Sequence, residues 1–197
     1  MKKSILFLLL SVITLSSMAQ ANIAYPSGLS VGEKAPMFAA KDQNGNMVDV
    51  QSLLKKGPVV VIFYRGQWCP YCNQQLKKVS DSLSFITAKG ASVVTVTPES
   101  AVNISKTIEK TKATYAIIED KGLSIMKSYK VNFLVDDNTV TKYKGYGVDF
   151  ATVNGDNGAN LPVPATYIIA KDGTIKYRFF NTDYRARASV NDIINHL

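Results

Sequence analysis

The only cysteines of this chain, Cys69 and Cys72, are separated by two positions. An uninterrupted apolar segment, residues 59–64, precedes them and is typical of a strand that is covered on both faces. After Cys72, apolar residues recur at helical spacing, at Leu76, Val79, Leu83 and Ile86. The sequence therefore predicts a buried strand that leads directly into a helix, with both thiols at the junction.

The start of a helix is a position at which a cysteine becomes reactive. The first turn carries unpaired N–H groups and the positive end of the helix dipole, and both stabilise an anion. A thiol there is more easily converted into the thiolate that acts as nucleophile. Pro70 suits the first helical position, because its missing N–H is not needed there. We expect Cys69 to be a solvent-accessible nucleophile, with Cys72 close enough to attack a sulfur or sulfenate formed on it.

Residues 1–21 have the pattern of a secretory signal peptide. Lys2 and Lys3 are followed by an apolar segment, residues 5–15, and by a small-x-small cleavage site that ends at Ala21. The apolar segment is about half as long as a bilayer span, so a retained membrane anchor is the less favoured alternative. We expect cleavage after Ala21, one domain over residues 22–197, no membrane association after cleavage, and secretion, most plausibly into a periplasm.

Composition argues against several classes of partner and site. The formal net charge is +8, but Lys and Arg are scattered rather than clustered, so a solvated basic surface is favoured over nucleic-acid binding. His196 is the only histidine, which leaves too few ligands for a Cys/His zinc site and no base for a Cys–His acyl-transfer enzyme. No metal or cofactor is predicted. A bridge between Cys69 and Cys72 would close a very small loop, so a purely structural disulfide is also disfavoured.

The remaining pattern predicts one α/β domain. Strand-like and helix-like segments alternate from residue 59 to residue 129, which implies parallel strands joined by right-handed crossovers. The cysteines then lie at the carboxyl end of a central strand, where open α/β sheets place their sites. Asn44-Gly45 and Asp172-Gly173 each lie between strand-like segments and predict hairpins.

Residues 131–163 have the least regular pattern. Residues 131–135 alternate like a strand, and residues 139–143 could pair with them across a short turn. Residues 145–160 are rich in Gly, Asn and Asp, match no calcium loop, and are interpreted as a surface loop. A final helix is expected over residues 184–197, with Arg185 and Arg187 on its surface and a role near the site as the alternative.

Residues 63–73 resemble the active-site segment of the thioredoxin superfamily, and most closely that of its peroxiredoxin-like AhpC/TSA branch. Residues 31–38, 94–99 and 163–166 resemble further segments of that branch, so the similarity covers nearly all of residues 22–197. The resemblance implies a thioredoxin-like fold, with a central mixed β-sheet flanked by helices and an N-terminal β-hairpin extension. It also implies a cis-proline at Pro164 that faces the cysteines and leaves the backbone of Val163 free for substrate.

This resemblance implies a thiol-based antioxidant enzyme. Cys69 would attack a peroxide and become a sulfenic acid, Cys72 would condense with it, and a thioredoxin-like donor would reduce the resulting disulfide. Arg65 is expected to support the thiolate or an anion, although a salt bridge at the strand end is an equal alternative. Trp68 is expected to pack over the site and shield it.

Two positions depart from the branch. Gly66 stands where peroxiredoxins carry a threonine, and Pro164 stands near the position of their arginine, whose work Arg65 would partly take over. Two alternatives therefore stay open. The first is a thiol–disulfide oxidoreductase that acts on disulfides of exported proteins. The second is a thioredoxin-fold binding module with an idle disulfide.

Overall fold

The computed structural model describes residues 25–197, so the predicted signal peptide and its cleavage site lie outside the described residues. The strands, in chain order, are β1 (Ala39–Lys41), β2 (Met47–Asp49), β3 (Val59–Phe63), β4 (Ser92–Thr97), β5 (Ala116–Glu119), β6 (Asn132–Leu134), β7 (Asn160–Pro162), β8 (Ala165–Ile169) and β9 (Ile175–Phe180). The α-helices are α1 (Val50–Lys56), α2 (Pro70–Asp81), α3 (Leu83–Ala88), α4 (Ala101–Thr111), α5 (Ser124–Ser128), α6 (Asp137–Gly145), α7 (Phe150–Asn154) and α8 (Val190–Asn195). None of the described helices is long and apolar enough to cross a bilayer.

The central element is a five-stranded mixed sheet with the order β5-β4-β3-β8-β9. Its strand β3 leads to the cysteines at the start of α2. Its central strand, β3, is parallel to β4 and antiparallel to β8, which confirms the predicted mixed sheet. Alternate residues of β3 point to opposite faces: Val59, Val61 and Phe63 join one apolar cluster. Val60 and Ile62 join the other cluster, which also contains both cysteines. Because both faces are covered, the whole strand is apolar and buried.

The predicted N-terminal hairpin is confirmed, with β1 antiparallel to β2. Gly45 has a φ of 81° in the connecting turn, and its N–H donates to the carbonyl of Asp42 at 3.0 Å. The second predicted hairpin, β8 and β9 around Gly173, is also present. The helix that follows the cysteines differs slightly from the sequence pattern, because it is interrupted at Ser82 into α2 and α3.

Residues 131–163 differ most from the prediction. Strand β6 pairs with β7 and not with residues 139–143, which belong to helix α6. The helix begins there because the Asp136 side chain accepts a hydrogen bond from the N–H of Thr139 at 3.0 Å. The expected loop at 145–160 contains α7, and Asp149 caps it in the same way. Asp136 and Asp149, which lie in segments expected to be a turn and a loop, are therefore the N-cap residues of two helices.

The predictions for Pro164, for Val163 and for the last helix are wrong. The peptide bond before Pro164 is trans, and the N–H of Val163 donates to the carbonyl of Val131 at 2.8 Å, so it is not free for substrate. The last helix is also shorter than predicted, because Ser189 and Asp192 form a capping box that starts it at Val190. Arg187 therefore precedes the helix and does not lie on its surface.

Candidate active site

Cys69 is the N-cap residue of α2, as the sequence predicts. Its backbone is extended, and its Sγ accepts a hydrogen bond from the N–H of Cys72 at 3.3 Å. Pro70 occupies the start of the helix. The helix terminus therefore offers an unpaired N–H and its positive dipole end to the Cys69 sulfur, which is the arrangement that favours a thiolate.

Cys69 and Cys72 are joined by a disulfide, with their Cα atoms 5.3 Å apart. This confirms that the second thiol is close enough to resolve the first. The expected solvent access is wrong for this disulfide form, since only 1% of Cys69 and none of Cys72 is exposed. Both residues belong to the apolar cluster on one face of the sheet, and an arginine side chain contacts the sulfurs.

That arginine is Arg187. One of its terminal nitrogens lies 3.1 Å from Cys72 Sγ and 3.7 Å from Cys69 Sγ. Burial, followed by the positive charge of Arg65, lowers the pKa of Arg187 to about 10. The sequence prediction placed this residue on a helix surface, and no local signal corrects that, because the contact spans 115 positions in the chain.

Arg65 lies two residues after the end of β3 and is buried among aromatic side chains. Its guanidinium carbon lies 4.9 Å from the ring centre of Trp68, 5.3 Å from that of Tyr143 and 4.7 Å from that of Tyr184. One terminal nitrogen donates a hydrogen bond to the Tyr143 hydroxyl at 2.5 Å. Within residues 25–197 Arg65 forms no ion pair with a carboxylate, so the expected alternative of a strand-end salt bridge is not found. Its charge is available to an anion.

A cavity of about 170 Å³ brings together three of the residues singled out in the sequence, Arg65, Val163 and Pro164. Tyr143 and Tyr184 also line it, next to the guanidinium. Trp68 stacks edge-on against Tyr143 at 5.2 Å between ring centres and packs against the apolar cluster that contains the cysteines. The cavity is thus mostly apolar with one buried cation, a surface that suits an organic molecule carrying a polar or anionic group.

A sequence model of the AhpC/TSA family matches residues 31–178. The chain belongs to the AhpC/TSA family. It is 25% identical over 169 residues to the chloroplastic peroxiredoxin Q of Oryza sativa subsp. japonica, with 86% of this chain and 67% of the rice protein covered.

Solved structures confirm the fold of this AhpC/TSA chain. The peroxidoxin BcpB of Mycobacterium tuberculosis is similar with a TM-score of 0.63 at 19% identity, covering 84% of this chain and 94% of that one. The thioredoxin domain of a thiol-disulfide oxidoreductase from Bacteroides vulgatus has a TM-score of 0.54 at 18% identity, covering 80% and 94%. The predicted thioredoxin-like fold is therefore correct.

The loop before Cys69 explains one departure of this AhpC/TSA chain from the expected pattern. Gly66 has a φ of +152°, and a Cβ atom there would lie 2.5 Å from Trp68 Nε1 and 2.7 Å from Glu99 Oε1. Glycine is therefore required where the resemblance expects a threonine. The same loop is held by Glu99, a buried residue that the sequence prediction did not single out.

Proposed function

We propose that this AhpC/TSA chain is a thiol-dependent peroxidase in which Cys69 attacks the peroxide and Cys72 resolves the product. The observation that supports this role is the Cys69–Cys72 disulfide at the start of α2, within a chain of the peroxiredoxin-containing AhpC/TSA family. A thiolate at a helix N-terminus is a stronger candidate nucleophile than one elsewhere in the fold.

The reaction follows from the positions of the two thiols. The Cys69 thiolate attacks one peroxide oxygen, the O–O bond breaks, and the second oxygen leaves as an alcohol or water after taking a proton. The Cys72 thiolate then attacks the sulfenic sulfur of Cys69, and hydroxide leaves as water when protonated. The disulfide that forms is the one in the structure. A dithiol donor returns two electrons and restores both thiols.

We place substrate binding at the cavity beside Arg65. Arg65, Val163 and Pro164 line it, and the Trp68 ring packs against the guanidinium. In this proposal Arg65 holds the polar end of the peroxide or its anionic group, and the apolar wall accepts the organic part.

The second candidate is a disulfide oxidoreductase for exported proteins, and one observation weakens it. That reading depends on the backbone beside Pro164 pairing with an extended substrate. The N–H of Val163 is already bonded to Val131 at 2.8 Å, so the donor needed for this pairing is not available.

We further propose that the protein is exported to a periplasm after cleavage at Ala21 and that a thioredoxin-like dithiol protein is its reductant. The proposal rests on the pattern of residues 1–21 and on the requirement for a two-electron donor.

Rapid mixing of the fully reduced protein with hydrogen peroxide or cumene hydroperoxide tests the proposal. We expect Cys69 to react much faster than free cysteine at the same pH, followed by formation of one disulfide. Cys72→Ser should react at a similar rate and stop at the sulfenic acid, whereas Cys69→Ser should lose the reaction. A wild-type rate no faster than that of free cysteine, with no disulfide formed, would identify an idle binding module. Insulin reduction without peroxide reduction would instead favour the oxidoreductase.

A further inference from the structure

Arg187 contacts both sulfurs of the disulfide. One terminal nitrogen donates to the backbone carbonyl of Ala186 at 2.8 Å, and the other is directed at the disulfide. A guanidinium can only donate hydrogen bonds, so its natural partner at that end is an anion. The contact to Cys72 Sγ, at 3.1 Å, is shorter than the contact to Cys69 Sγ, at 3.7 Å.

The charge of Arg187 is not compensated by a carboxylate at ion-pair distance. The described ion pairs of residues 25–197 do not include it, and neighbouring Asp183 pairs with Arg185 at 2.9 Å. The buried and equally cationic Arg65 is close enough to repel it. A negative charge on a sulfur would relieve this repulsion and replace the water that the guanidinium has lost.

The nearest donor differs between the two sulfurs, although Arg187 also lies 3.7 Å from Cys69 Sγ. Cys69 Sγ accepts the N–H of Cys72 at the start of α2, at 3.3 Å. Among the hydrogen bonds of the described residues, Cys72 Sγ accepts one, and its donor is Arg187. The helix terminus therefore stabilises charge on Cys69, and Arg187 stabilises charge on Cys72.

We propose that Arg187 is a catalytic residue of the reductive half-reaction, which stabilises the thiolate that leaves on Cys72 when a dithiol donor attacks Cys69. This proposal deepens the proposed function and rests on it for its place in a catalytic cycle. The donor thiolate forms a bond to Cys69 Sγ, the Cys69–Cys72 bond breaks, and its electron pair remains on Cys72 Sγ beside the guanidinium. The second thiol of the donor is then deprotonated and attacks the first donor sulfur in the mixed disulfide. The bond to Cys69 breaks, and Cys69 leaves as a thiolate. The donor leaves oxidised by two electrons.

A donor can reach the buried disulfide only if the side chains that cover it move. Both cysteines are covered, and Arg187 contacts both. A small shift of this long side chain can lose the 3.7 Å contact with Cys69 and retain the 3.1 Å contact with Cys72. The same movement would open the attacked sulfur and keep the leaving sulfur paired with a cation.

Rapid mixing of the purified disulfide form with dithiothreitol tests the proposal without any peroxide. We expect Arg187→Met to be reduced about 10- to 100-fold more slowly than wild type, which is the loss expected for a hydrogen bond to a charged group. Arg187→Lys keeps the charge and should recover part of the rate. Lys78→Met is the control, because Lys78 is an exposed cation of α2 whose loss leaves the Asp183–Arg185 pair intact, and it should be reduced at the wild-type rate.

A second measurement isolates Cys72. In a Cys69→Ser background, the pH dependence of alkylation reports the pKa of Cys72 alone, and Arg187→Met should raise it by about one unit or more. Unchanged reduction and alkylation in Arg187→Met would overturn the proposal. Faster reduction would also overturn it and leave Arg187 as a simple cover. If these effects appear but wild type does not reduce peroxide, only the proposed peroxidase function fails.

Discussion

The carboxylate of Glu99 accepts a hydrogen bond from the backbone N–H of Gln67 at 2.7 Å, two residues before Cys69. Its other oxygen accepts the Thr107 hydroxyl at 3.3 Å. Burial raises the pKa of Glu99 to about 7, although these hydrogen bonds and the charges of Lys110 and Lys106 oppose the change. The loop that presents the candidate nucleophile is therefore held by a group that changes charge near neutral pH.

Replacement of Glu99 by glutamine should reduce the pH dependence of stability. The folded protein keeps a proton on Glu99 between pH 4.5, its ordinary pKa, and about 7, whereas the unfolded chain has lost it. The wild-type free energy of unfolding should therefore fall as pH rises through this window, by about 1.4 kcal/mol per unit from this group. Urea denaturation across the window measures the slope. Glu109→Gln, at an exposed position of α4, should keep the wild-type slope, and an equal slope in Glu99→Gln would contradict the assignment.

Loss of the Tyr143 hydroxyl should destabilise the cavity beside the site. Tyr143→Phe keeps the ring against Trp68 but leaves a buried nitrogen of Arg65 without the hydroxyl that accepts from it at 2.5 Å. The expected loss in the free energy of unfolding is about 1–3 kcal/mol, the cost of an unpaired buried donor on a charged group. Tyr146→Phe is the control, because Tyr146 follows the same helix and is 81% exposed. Equal stabilities of the two variants in urea would show that Arg65 does not depend on this bond.

The order of elements around the cysteines follows from local sequence. The apolar segment at 59–64 predicts the buried central strand, and the change of period after Cys72 predicts the helix. Turn residues such as Asn44-Gly45 locate both hairpins, because few other residues accept the required backbone angles. These features are decided within a few residues, so the sequence contains the information directly.

The parts of the site that depend on distant contacts could not be predicted. Arg187 precedes the helix that the Ser189 capping box starts, and nothing near Cys69 in the sequence indicates that it reaches the sulfurs. The burial of Cys69 also depends on residues far away in the chain, which form the apolar cluster around it. Residues 139–143 are expected to pair with residues 131–135 as a strand, but the Asp136 cap makes them helical. In each case a tertiary contact or a cap outweighed the local pattern.

Export predicts a defined mature terminus. When the full chain is produced in a bacterium with a periplasm, mass spectrometry of the periplasmic protein should identify Asn22 as its first residue, since Ala21 ends the small-x-small site. Ala21→Phe should block cleavage because signal peptidases need a small residue there, while Gln20→Phe changes the tolerant position and should be cleaved. A periplasmic protein that retains residues 1–21 would support the membrane anchor instead.

Replacement of Gly66 by the threonine that the resemblance expects should lower the stability and the activity of this protein. Gly66 has a φ of +152°, and any Cβ there would lie 2.7 Å from Glu99 Oε1 and 2.5 Å from Trp68 Nε1. Gly66→Thr should lower the free energy of unfolding by about 1–3 kcal/mol and slow peroxide reduction, because the loop before Cys69 must move. Gly45→Thr is the control that distinguishes backbone strain from the steric clash. Gly45 also has a positive φ, +81°, but no atom lies within 4 Å of the position of a Cβ atom there. Urea denaturation and rapid mixing with hydrogen peroxide should find the larger loss at Gly66. A faster reaction in Gly66→Thr, at unchanged stability, would mean that the loop accepts the threonine and that glycine is not required there.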